Sequence, residues 1–132
     1  MIAAAVLLVA CAAKSTTAPA QFNVTGGWAG TVSDALLGPG TLSLSLAQTG
    51  DSVSGTWSSA YPDTLHDIGG SVVGHVVGSK LVILLKPLSP PTCQYGPFEF
   101  TATETGGTEL SGTYQAVQCI VADSGSIAVT IQ

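Results

Sequence analysis

Arginine is absent from this chain, lysine occurs three times, and charged residues make up 8% of its 132 positions, against about 25% in an ordinary soluble domain. The net charge is -5. Neither a basic patch nor a guanidinium fork can be built from three lysines, which excludes a nucleic-acid or polyanion partner. No amphipathic helical run appears after residue 20. There is no Gly-X-Ser-X-Gly elbow, no Gly-rich phosphate loop and no distinctive carboxylate pair, so nothing in the sequence signals nucleophilic or acid–base catalysis. Asp63, His66 and Asp67 share one loop, but with His75 expected on an outer strand face they do not supply three converging ligands. A turn of Pro, Asp and Thr accounts for the same letters. The protein is therefore expected to be neither an enzyme nor a metal or cofactor carrier.

What the chain does have is Gly, Ser, Thr and Val, the composition of strands and turns. Two related stretches organise it. Leu42 to Trp57 and Phe98 to Tyr114 each read as an alternating strand, a Gly-containing turn, then an aliphatic residue, Ser-Gly-Thr and an aromatic. Strict alternation around a short Gly turn is the sequence form of a β-hairpin. Matching the apolar faces opposes Leu46 with Val53, Leu44 with Gly55 and Leu42 with Trp57, around a Thr49-Gly50 turn. In the second stretch it opposes Ala102 with Leu110, Phe100 with Gly112 and Phe98 with Tyr114, around Thr105-Gly106-Gly107. A third hairpin, 68–77 and 80–87, turns at Gly78-Ser79 and sets Val72, Gly74 and Val76 against Leu85, Ile83 and Leu81. Each hairpin then has a large residue facing a central Gly, as a sharply bending sheet requires.

Further strands are expected at about 24–33 and 125–132. Eight strands joined without helical crossovers, each with one apolar face, predict an all-β fold. The expected form is a single antiparallel eight-stranded up-and-down β-barrel over 22–132, which leaves no free edge; a two-sheet β-sandwich is the alternative. Gly26-Gly27-Trp28 is similar to the Gly-X-Trp that opens the first strand of lipocalins, and avidin-like barrels carry a similar Trp. That resemblance implies the barrel and not the ligand.

The apolar run at residues 2–10 is too short to span a bilayer and matches a signal-peptide core. It ends in Leu8-Val9-Ala10-Cys11, which resembles the lipobox of bacterial lipoproteins. The resemblance implies a signal peptide over 1–10, acylation of Cys11 and a lipid anchor in the cell envelope. The outer membrane is the expected location. Several acyl chains hold a protein stably on a membrane where one does not. No Lys or Arg precedes the apolar run; a start placed too late, or a fragment, would explain the departure. Residues 12–21 are small, polar and Pro-containing, a flexible tether. With Cys11 lipidated, Cys93 and Cys119 remain for a disulfide, which an exported domain permits. Continuing the second hairpin's pairing also sets these two opposite each other.

Trp28, Trp57, Phe98, Phe100 and Tyr114 all fall on inward positions. They fill the core, or with Gln118 they line a small apolar pocket at one mouth. On the outer face of the third hairpin, Val73, His75, Val77, Val82 and Leu84 form an unusually apolar surface. It is either a contact site or is covered by the 34–39 loop with Leu36 and Leu37. A contact there is expected to weaken below about pH 6, because charging the His75 imidazole in an apolar interface is unfavourable. The leading expectation for function is non-catalytic binding, with a small apolar ligand in the barrel mouth. The alternatives are a protein-binding inhibitor of the lysozyme- or protease-inhibitor kind, and a structural envelope component.

Overall fold

A computed structural model describes residues 22–63, 67–88, 97–117 and 122–132. Eight strands follow one another: β1 Gly26–Asp34, β2 Gly38–Thr49, β3 Ser52–Ala60, β4 Ile68–Val77, β5 Lys80–Pro87, β6 Phe98–Thr105, β7 Glu109–Ala116 and β8 Ser124–Ile131. Each pairs antiparallel with its sequence neighbours, and β8 returns to β1, so the sheet closes into an eight-stranded barrel. Closure is what gives every strand two hydrogen-bonding partners and leaves no edge exposed.

Inward positions alternate with outward ones along each strand, as the period-two pattern requires. Trp28, Phe100, Leu81, Ile83, Leu110, Val72 and Val129 are fully buried inside. Four strands carry a glycine midway along the inward row: Gly30, Gly55, Gly74 and Gly112. A Cβ on Gly30 would lie 2.0 Å from the carbonyl oxygen of Ala128, and one on Gly112 would lie 1.9 Å from that of Thr101. Neighbouring strands approach so closely at these bends that only glycine fits.

The third hairpin has the expected register, with Val72, Gly74 and Val76 opposite Leu85, Ile83 and Leu81. The other two are displaced by two residues. Leu46 pairs with Gly55, Leu44 with Trp57 and Leu42 with Ser59, so Gly50-Asp51 is the turn rather than Thr49-Gly50. In the second, Ala102 pairs with Gly112, Phe100 with Tyr114 and Phe98 with Ala116, and the three-residue turn is 106–108. Turn chemistry is the reason. Gly50, at φ 63°, takes the first position of its turn, as Gly78 does in the third hairpin, and a left-handed residue there gives a turn whose twist matches the strands. A shift of two keeps every apolar side chain on its own face, so the hydrophobic pattern does not distinguish the two registers.

Two expectations change with that shift. Gly55 and Gly74 still face large residues, Leu46 and Ile83, but the hairpin partner of Gly112 is Ala102. The pairing that set Cys93 against Cys119 also fails: Phe98 pairs with Ala116, where β7 ends. Both cysteines, with Cys11 and Gln118, lie outside the described residues.

The two ends of the barrel differ. One end carries the tight turns 50–51, 78–79 and 106–108, together with the chain's first described residues and Gln132. Here Val24 is fully buried, its carbonyl accepts the indole N–H of Trp28 at 2.8 Å, and its own N–H donates to Gln48 Oε1 at 2.9 Å. Residues 22–25 thus plug this end. The opposite end receives the connections β1–β2, β3–β4, β5–β6 and β7–β8.

Candidate functional site at the barrel mouth

The side chains that meet at the loop-bearing end come from all eight strands. Val32 and Asp34 arrive on β1, Leu42 on β2, Trp57 and Ser59 on β3, Ile68 on β4, Leu85 on β5, Phe98 on β6, Tyr114 on β7 and Ile127 on β8, and Tyr61 and Asp123 flank them from the loops. They enclose a cavity of about 40 Å³, room for a few waters. Pockets that swallow a whole drug-sized ligand are roughly 300–1,000 Å³.

Its wall is aromatic. Phe98 stands edge-on to Trp57, centroids 6.3 Å apart, and edge-on to Tyr114 at 5.5 Å. The Trp57 indole N–H donates to the carbonyl of Lys86 at 3.2 Å, which fixes the ring's tilt. Its rim is polar. Tyr114 donates its hydroxyl to Asp34 Oδ2 at 2.5 Å, and Asp34 Oδ1 accepts the N–H groups of Leu36 and Leu37 at 2.8 and 3.0 Å. Asp34 is 6% exposed, and such a buried carboxylate persists only because donors surround it.

Two carboxyl groups share this rim with opposite tendencies. Burial pushes Asp34 up, but hydrogen bonds from Tyr114, Leu37, Leu36 and Asp123 outweigh it and hold the group below the ordinary carboxylate range. Asp123 goes the other way: burial, its hydrogen bond to Asp34 and the Asp34 charge raise it to about 6, with the Ser124 N–H only partly offsetting them. Asp123 therefore carries a proton that it donates to Asp34 up to mildly acidic pH. Burial raises the Tyr114 hydroxyl well above its usual value, and so does the bond it donates to Asp34; burial and the Asp34 charge also raise Tyr61.

Paired carboxyls with divergent proton affinities are the ingredients of acid–base catalysis. Here, however, both oxygens of Asp34 already accept protein donors. The group works as a latch, tying the β1–β2 turn to β7 and β8; Ala35 N–H reinforces it by donating to Ser124 O at 2.8 Å.

Of the residues expected at a pocket, Trp57, Phe98 and Tyr114 do line the cavity. Trp28 and Phe100 do not; both are sealed in the core, Trp28 against the plugged end. Asp34 and Asp123 also line the cavity, and alternation carries the signal for both. Counting inward from Val32 reaches Asp34, and counting back from Ile127 reaches Asp123. Among the described residues no three His, Cys, Asp or Glu side chains converge on a metal-sized site; Asp67 instead accepts the N–H of Tyr61 at 2.9 Å.

The apolar outer face lies where expected. Val73, His75 and Val77 are exposed on β4, and Val82 and Leu84 half-buried on β5. The 34–39 loop does not cover them: it sits at the mouth, bonded to β8, and its Leu36 is 62% exposed. The chain was compared with protein-family models, with curated proteins and with solved structures, and it matches none of them.

Proposed function

We propose that this protein is a non-catalytic binding lipoprotein of the bacterial envelope, held on the outer membrane by acyl chains on Cys11. Its partner docks at the barrel mouth. The observation that carries this reading is the small aromatic-walled cavity there, at the end opposite the one where residue 22 enters the barrel. A tether over 12–21 spans up to ~35 Å, and it leads to the plugged end, so it leaves the mouth unobstructed. A cavity of about 40 Å³ takes a single apolar group of a partner rather than a whole lipophilic molecule. The envelope location also favours a Cys93–Cys119 disulfide on compartment grounds.

A protein partner, as for an inhibitor of host or competitor enzymes, is the second reading. The observation favouring it is that four strand connections start and end at the mouth, and loops on a rigid scaffold are where binding residues are commonly carried.

Native mass spectrometry of the protein extracted from envelopes in mild detergent tests the proposal. The expected result is a chain beginning at Cys11, heavier by its acyl groups, lighter by two hydrogens than the dithiol, and carrying a retained ligand or protein. A chain without lipid overturns the anchor. A lipidated chain that never retains a ligand or partner overturns the mouth reading.

A further inference from the structure

Outward side chains on β4, β5 and β6 fall into three rows. Val73, Leu84 and Glu99 form the first, His75, Val82 and Thr101 the second, and Val77, Lys80 and Thr103 the third. Valine and leucine occupy the centre, with Val73 41% and Val77 58% exposed. On β3 the bordering positions are Ser52 and Ser54. An exposed apolar surface with a polar rim marks a contact site. The question is what covers it.

The rim charges answer it. Among the described residues the only lysines are Lys80 and Lys86, and both lie on β5 at the patch borders, on a chain of net charge -5. Glu99 lies at the same rim, beside Leu84. An anionic partner or an anionic lipid surface would meet that glutamate as well as the lysines. A surface carrying both signs around one apolar centre is complementary to itself.

We propose that this face pairs with the same face of a second copy, about a two-fold axis running along the middle row. Such an axis exchanges the first and third rows. Val73 then meets the second copy's Val77, the two Val82 side chains meet on the axis, and Lys80 lies over the second copy's Leu84, where Glu99 is within reach of its ammonium. The operation applies twice, so each dimer has two Lys80–Glu99 pairs. Four apolar side chains a copy fall short of the ~1,200 Å² that a stable interface buries. The dimer is accordingly weak in dilute solution and forms when the copies are concentrated on one membrane.

The test uses the full chain at high concentration in detergent micelles, mixing ¹⁴N- and ¹⁵N-labelled protein before zero-length carbodiimide coupling. Isotopically mixed peptides joining Lys80 to Glu99 are expected. Within one chain these two positions stand two rows apart on neighbouring strands, too far for a zero-length bond. Lys80→Glu and Glu99→Lys should each weaken association roughly tenfold through like-charge contacts, and the double variant should restore it. Val82→Asp with Leu84→Asp should abolish it while leaving the β-sheet circular dichroism unchanged. Absence of mixed peptides overturns the proposal, and so does a double charge swap that fails to restore association. If the aspartates unfold the barrel, that variant is set aside and the charge-swap result, at exposed positions, decides.

Discussion

At the scale of single residues, the informative group is the buried carboxylate of Asp34. It sits where alternation demands an apolar side chain, and it is tolerated because Tyr114, two backbone N–H groups and Asp123 all donate to it. The pair makes stability depend on pH in two opposite senses. Asp34 is held below its ordinary value, so its contribution is present above that value and is lost as pH falls. Asp123 is raised from 3.8 to about 6, so within that window the folded protein keeps a proton that the unfolded chain has released. Its contribution is full below 3.8 and is lost as pH rises through about 6. The urea midpoint should therefore decline across this window. Asp123→Asn supplies a donor that does not titrate, and it should flatten the decline. An unchanged slope in that variant would show that Asp123 does not share a proton with Asp34.

At the scale of elements, the hairpins show how far patterning reaches. The apolar faces of all three are where alternation puts them, yet two registers differ by two residues from face matching alone. The deciding groups are glycines that take left-handed conformations, Gly50 at φ 63° and Gly106 at φ 62°, and their preferred turn positions set the pairing of the strands that follow. The inward glycines do a different job, allowing backbones to approach at the bends. Gly112→Ala puts a methyl 1.9 Å from the Thr101 carbonyl oxygen and should cost about 2 kcal/mol or more by overpacking. Gly27→Ala, with no atom within 4 Å, should be neutral or stabilise by up to about 1 kcal/mol. Chemical denaturation of the two variants checks the contrast; equal losses would show that close approach is not what Gly112 provides.

At the scale of the whole molecule, closure gives the barrel two unlike ends. Residues 22–25 and the Trp28 indole seal one, and the latch and aromatic wall shape the other. Under the proposed anchor at Cys11, the chain would enter the barrel at the plugged end and leave the mouth unobstructed. Replacing Cys11 by Ser should move the protein from the membrane to the soluble fraction and abolish its acyl mass. A Cys11→Ser protein that stays membrane-bound would show that something other than acylation at this residue holds it there.

Alternation, turn residues and length pointed to eight antiparallel strands, because these are local properties read along one strand at a time; a closed barrel rather than a two-sheet sandwich is decided by the pairing of β1 with β8. They also located the exposed apolar face, since Val73, Val77, Val82 and Leu84 follow from the same parity as the core. The mouth was only half legible. Trp57, Phe98 and Tyr114 could be assigned inward, but inward positions do not reveal depth along the barrel, and so Trp28 and Phe100 could not be separated from them. The Asp34–Tyr114–Asp123 latch belongs to the tertiary structure alone. It brings residues from β1, β7 and the segment before β8 together through closure of the sheet, and its proton sharing follows from burial, which only the closed barrel provides.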